Sequence, residues 1–299
     1  MPNQTTNYKL TKPLASELYD IDVQNENMDI IDETLKDIET EASKHFATNL
    51  LDNSDFTHPV NQRGETSYTG PYPCLDRWKQ ATVTATVSVA DGGLSLTATT
   101  ERCWLYQPLA KQLTVGKKYT LYVEFADGEK YAGVLEATTS NRSLWGNSRV
   151  LPTLSYNDFA IIVEPGNSVT IKYAALYEGE YSTETVPTYQ PKGYAQELAE
   201  CQRYYWQMSE AYMQYGYGDA YGQMIVDIIL PVEMRVNPTV THTLDNLAKG
   251  QDSFKSSVKR VDVTATTKKV RFAIVTLDAG LLNQLMFAVF KDIKVNAEL

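Results

Sequence analysis

Between residues 21 and 45, IDVQNENMDIIDETLKDIETEASKH, apolar side chains recur at alternating intervals of three and four. Ile21, Met28, Leu35 and Ala42 take the a positions of a heptad, and Gln24, Ile31, Ile38 and His45 the d positions. So narrow a stripe predicts a helix that pairs with copies of itself. Leu35 at a, between Ile31 and Ile38 at d, shifts the preference from two strands towards three or four. Ile21, Met28, Ile31, Leu35, Ile38 and Ala42 are therefore the expected trimerisation residues of a coiled coil over 21–46. The pattern lasts only about three and a half heptads, and one amphipathic helix packed on its own domain is the alternative. The e and g positions, Asn25, Asn27, Asp32, Thr34, Glu39 and Glu41, supply no base to pair across strands, which weakens a free-standing coil. Val23 and Ile30 fall outside the seam. They are expected either to dock another protein or to be covered by residues 1–20 folding back.

Beyond the helix the period changes from helical to two. Residues 47–80 are irregular and rich in turn formers. From 81 onward Val83, Ala85, Val87 and Val89 share one face, and Leu94, Leu96 and Ala98 follow a turn at Asp91-Gly92-Gly93. Tyr119, Leu121, Val123 and Phe125 alternate and are closed by Asp127-Gly128; further strands are expected over 131–137, 159–163 and 169–175. About seven short strands separated by turns predict an antiparallel β-sandwich of jelly-roll type over 47–180. Residues 181–193 are a linker by composition. Residues 194–206 predict a short helix with Leu198, Cys201 and Tyr205 on one face. A Tyr/Gly-rich loop over 211–222 and strands near 223–230, 239–244, 257–264, 269–276 and 285–295 complete a second small β domain, the tip, over 194–299. Residues 1–20, polar and interrupted by Pro2 and Pro13, predict an extended attachment arm. The fold class is mainly β.

Composition narrows the partners. A net charge of −10 argues against nucleic acid, which needs a concentrated basic surface. No window approaches the run of about twenty apolar residues that a membrane span needs. Residues 1–20 hold neither a basic leader nor an apolar stretch, so synthesis in the cytoplasm without a signal peptide is expected. Cys74, Cys103 and Cys201 are widely spaced with no CxxC, and His45, His58 and His242 are scattered. Neither a disulfide framework nor a metal site is expected from such spacing, and no cofactor motif stands out.

Several runs carry a resemblance. NYKLTKP (7–13) with YDIDVQNENMDIIDETL (19–35) resembles the start of tail-fibre and receptor-binding proteins of phages and prophages infecting Gram-positive bacteria. NLLDNSDFTHPVNQRG (49–64) and YPCLDRW (72–78) resemble the lead-in to the jelly-roll, carbohydrate-binding-like domain of such fibres, and ELAECQRYYW (197–206) and LPVEMRVNPTV (230–240) their C-terminal domain. The resemblance implies a homotrimeric fibre on a virion tail, attached by its N-terminus to a tail or baseplate protein, with distal β domains touching host cell-surface glycan. It carries over no binding residue.

Sugars present apolar C–H faces ringed by hydroxyls, so their sites pair exposed aromatics with a few polar groups. Among 20 Tyr and 4 Trp, the densest cluster is Tyr212, Tyr215, Tyr217 and Tyr221, interleaved with glycines and with Asp219. The alternative is that these rings line a threefold interface or cover the C-terminal core. A second candidate is Trp145 with Asn147 and Arg149, against a loop tryptophan tucked on the sandwich. Trp78 and Trp104 are expected in the core.

Catalysis finds less support. Glycan hydrolysis needs two carboxylates facing one another across a cleft, and no spacing pairs Asp76, Glu101, Glu124, Glu136 or Asp158. No GxSxG, HExxH, P-loop or dinucleotide fingerprint is present. A non-enzymatic adhesive fibre is the leading expectation, a purely structural fibre or baseplate appendage the second, and a glycan-depolymerising tailspike the third.

Overall fold

The structure, a computed structural model, describes residues 3–12, 20–71, 73–140, 142–143, 150–217, 219, 223–249, 252–253, 258–276 and 285–298. Strands β1 (Asn3–Gln4) and β2 (Thr11–Lys12) pair as a small antiparallel hairpin. This corrects the extended arm at both strands. The hairpin is tied to helix α1 (Ile21–Phe46). Thr11 N–H donates to Asn27 Oδ1 at 2.8 Å, and Asn27 Nδ2 donates back to Thr11 O at 2.9 Å. Asp20 caps the helix by accepting from Asp22 N–H at 2.9 Å. Val23, Asn27, Ile30 and Thr34 share one face of the helix and are half-buried, and the hairpin is tied to that face at Asn27.

The seam fares differently. Ile21, Met28, Ile31, Leu35 and Ile38 are all exposed, Met28 at 62% and Leu35 at 59%, while Ala42 is half-buried. The structure does not lay this stripe on the sandwich, which removes the alternative of a helix packed on its own domain through its a and d positions.

The sandwich is built from β3 (Ser67–Thr69), β4 (Lys79–Gln80), β5 (Thr86–Ala90), β6 (Gly93–Ala98), β7 (Cys103–Pro108) and β8 (Lys118–Phe125). It continues through β9 (Lys130–Glu136), β10 (Arg142–Ser143), β11 (Val150–Leu154), β12 (Asp158–Val163) and β13 (Asn167–Glu178). One antiparallel sheet runs β3-β5-β6-β13-β8-β9 and the other β10-β11-β12-β7-β4, with the chain crossing repeatedly between them. Their inner faces share one core that includes Val87, Leu96, Leu105, Leu121, Phe125, Phe159, Ile161 and Ile171. Trp78 is fully buried there, edge-on to Phe56 and Phe159, and its Nε1–H donates to Asn53 O at 2.8 Å. Trp104 is only half-buried, one position out of phase with Cys103 and Leu105 on β7.

The strands the pattern missed have a physical reason. Every residue of β11 is buried, so it shows no alternation. Alternation also misled: β5 begins only at Thr86, and Val83 is 67% exposed outside it. The turn at Asp91-Gly92-Gly93 is as expected. Gly93 has φ +150°, and a Cβ there would lie 2.2 Å from Ile171 O.

Residues 181–193 contain no strand or helix, but they are not a free linker. Tyr122, Tyr173 and Tyr177 are buried on the outer face of the six-stranded sheet and covered by Tyr181, Val186 and Tyr189. The rings of Tyr173 and Tyr189 lie 4.1 Å apart. Much of the tyrosine excess is therefore packing, as at Tyr119, Tyr122, Tyr173, Tyr177, Tyr204 and Tyr205.

The C-terminal unit comprises α2 (Tyr194–Gln202), β14 (Tyr205–Met208), β15 (Tyr212–Tyr217), β16 (Gln223–Ile229) and β17 (Thr239–Lys249). It is completed by β18 (Asp252–Ser253), β19 (Val258–Ala265), β20 (Lys269–Thr276) and β21 (Leu285–Asn296). The helix stops at Gln202, short of the expected 206, because Tyr205 and Trp206 enter a strand paired with β21. Strand β21 lies between β17 on one edge and β14 with β15 on the other; β16-β20-β19 form the facing sheet. Val226, Phe272, Ile274, Phe290, Ile293 and Val295 fill the core between them.

Polar contacts join this unit to the sandwich. Arg63 pairs with Glu298 at 2.9 Å, Gln62 Nε2 donates to Tyr205 O at 2.8 Å, and Asn53 N–H donates to the Glu197 carboxylate. Arg77 stacks 3.5 Å over the Tyr204 ring and pairs with Asp52 at 2.9 Å. Asp76 accepts from Gln62 N–H and Nε2, and burial holds its carboxyl above the usual range. Cys74, Cys103 and Cys201 are free and buried, and burial pushes the first two thiols up to about 12. No helix among the described residues is long and apolar enough to cross a membrane.

Candidate functional site

Strand β15 turns the tyrosine cluster into a two-faced element. Tyr212, Gln214 and Gly216 are half-buried, while Met213, Tyr215 and Tyr217 are exposed, Tyr215 at 56% and Tyr217 at 68%. A loop was expected here; a strand is found, and its period of two divides the cluster. Tyr212 packs against the C-terminal core, with its hydroxyl donating to Gln214 Oε1 at 3.0 Å. Gly216 sits where a Cβ would come within 3.1 Å of Met224 Cε, so its lack of a side chain lets β15 approach β16 closely.

On the outward face, Met213 pairs with Val289, Tyr215 with Phe287 and Tyr217 with Leu285. The rings of Tyr215 and Phe287 lie 5.8 Å apart at 57°. These six positions form an uncharged apolar ladder. Charge returns further along β21 at Lys291, which pairs with Asp245 at 2.9 Å. Exposed Ile225 lies on strand β16 of the facing sheet.

Asp219 lies between β15 and β16. Its Oδ1 accepts from Gln223 N–H at 2.8 Å and its own N–H donates to Gln223 O at 2.8 Å, so its polar groups are engaged with the start of β16. Tyr221, Trp145, Asn147 and Arg149 lie outside the described residues. Sequence reasoning missed Met213, Leu285 and Phe287. The signal was present as spacing, since Leu285, Phe287 and Val289 alternate, but only the β15–β21 register sets them beside Tyr215 and Tyr217.

Four of the five acids weighed for hydrolysis are occupied elsewhere. Asp76 is buried in the joint, Glu124 pairs with Lys172 at 3.1 Å, Glu101 accepts from Thr84 at 3.3 Å, and Asp158 accepts from Ser155 at 2.8 Å. Among the described residues no group of three or more His, Cys, Asp or Glu is placed to hold a metal ion.

No family model and no curated protein matches the chain. Native recombinant discoidin II of Dictyostelium discoideum aligns with 71% of this chain and 82% of its own, at 12% identity and a TM-score of 0.19. A superposition that loose carries nothing over. The class rests on the fold itself: a mainly β protein of antiparallel sheets, with two helices among the described residues and an exposed aromatic face on its C-terminal unit.

Proposed function

We propose that this chain is a homotrimeric, non-enzymatic tail-fibre protein that attaches a virion to host cell-surface glycan. The observation that carries the reading is the uncovered seam of α1. Five large apolar side chains at a and d stand in solvent while the other apolar positions, Val23 and Ile30, are sheltered at the face where the β1–β2 hairpin is tied. Burying such a stripe between three copies removes its exposure and gathers three C-terminal units.

In this reading the hairpin and α1 face the tail or baseplate, and the ladder around Tyr215 and Tyr217 meets sugar. Aromatic rings suit the C–H faces of pyranoses, and their rigidity limits the entropy lost on contact. Single sites of about 1 mM affinity become useful when three engage one surface, because linkage raises effective concentration. The test is binding of purified chain to whole host cells together with sedimentation analysis. A trimer that adheres, with no release of reducing sugar ends, supports the proposal; a monomer that does not adhere overturns it.

The same ladder favours a second reading. Its outward positions carry no charge and few polar groups, so it also suits burial against another copy, which would make the protein a structural appendage. Loss of trimer on Tyr215→Ala, with cell adhesion never observed, selects that reading.

A further inference from the structure

A groove of about 590 Å³ opens on the C-terminal unit beside α2, away from the tyrosine ladder. Ala199, Val232 and Met234 supply its apolar lining, and Arg203 and Arg235 its positive charge. The two arginines are neighbours by backbone, since Arg235 N–H donates to Arg203 O at 2.9 Å.

Their lack of carboxylate partners is unusual in a chain of net charge −10. Arg63, Arg77, Arg102, Arg260 and Arg271 each pair with a carboxylate. Among the described residues Arg203 and Arg235 alone of the arginines with described side chains have none. Arg235 has its Nη1 buried without an acceptor, with its guanidinium carbon 5.5 Å from the Tyr204 ring centre. The acids at the rim do not answer them. Glu200 is held by Lys192, and Glu233 by Lys268 at 3.6 Å and Thr267 at 3.1 Å. The groove thus keeps two guanidinium groups that no carboxylate occupies, beside an apolar lining.

We infer that this groove binds an anionic group, a carboxylate or phosphate, on a saccharide-sized ligand, with Arg203 and Arg235 as its donors. A guanidinium presents its N–H groups in a planar fork that matches both oxyanions. The volume suits a ligand of that size. The site is separate from the ladder and does not depend on the glycan reading given to it.

The test titrates the full-length chain by calorimetry with inorganic phosphate and with glucuronate, using glucose as the neutral control. At least one anion is expected to bind at about 1 mM, more weakly as salt rises, and glucose not to bind. The phosphate and glucuronate arms identify which oxyanion the site takes. Arg203→Gln, whose parent side chain makes no hydrogen bond in the structure, is expected to cost at least about tenfold in affinity. Arg235→Gln is expected to cost more, with thermal melting run beside it to confirm folding. If Arg235→Gln fails to fold, Arg203→Gln decides. Tyr217→Ala is expected to bind the anion as the parent does. Absence of heat from both anions up to about 20 mM, or parental affinity in Arg203→Gln, overturns the inference.

Discussion

Arg63 and Glu298 meet at 2.9 Å although 235 positions separate them, and both side chains are almost wholly buried. The contact ties the turn-rich segment before the sandwich to the residues just past the last strand of the C-terminal unit. Removing Glu298 leaves the buried Arg63 guanidinium with only Asp76, at 3.9 Å, to answer its charge. Glu298→Ala is therefore expected to lower stability by about 2 kcal/mol, measured by urea unfolding. A loss under about 0.5 kcal/mol would mean the two units are held by other contacts.

Asp76, close by, predicts an unusual acid response. Burial, opposed by Gln62 and Arg63, holds its folded carboxyl above its ordinary value. A raised carboxyl contributes stability that is fully present below the unfolded value of about 4 and is lost as pH rises through the folded one. Urea unfolding of the parent and Asp76→Asn from acid to neutral pH is the check. The parent is expected to lose ground against the variant as pH rises; the opposite trend would show that hydrogen bonding outweighs burial.

Gly93 faces Ile171 O with no room for a methyl group. Gly93→Ala forces the β5–β6 turn away from β13 and adds strain at φ +150°. The expected loss is about 3 kcal/mol, read as a lowered melting temperature. An unchanged melt would show that the hairpin tolerates the displacement.

Leu35→Asp sets a carboxylate in each copy at one layer of the proposed seam. It is expected to shift sedimentation from trimer to monomer while circular dichroism of the β units stays unchanged. A trimer that survives would place the threefold contact in the C-terminal unit.

Tyr217→Ala removes an exposed ring, so its stability cost is expected to stay within about 0.5 kcal/mol. Adhesion to host cells is expected to fall clearly. A large drop in melting temperature would instead assign Tyr217 to an interface between copies.

How much of this was written along the chain differs by element. The period of α1 and the alternation at Leu94, Leu96 and Ala98 or at Tyr119 to Phe125 predict helix and strands directly, because one face of each is polar. β11 defeats that reasoning, since neighbours bury both of its faces. The tyrosines show the same limit. A run such as Tyr212 to Tyr217 announces aromatic surface, but Tyr173 and Tyr177 carry the same signal and lie under the segment 181–193.

The sequence by itself determined where the period changes, which turns close the hairpins, and that the seam on α1 is apolar and narrow. Those are properties of neighbours along the chain. Only the tertiary structure decided that the first strands fold back on Asn27, that Tyr215 and Tyr217 stand outward beside Phe287 and Leu285, and that Arg203 and Arg235 lack carboxylates. Each of these depends on which distant residues arrive at one place, and local spacing does not encode that arrival.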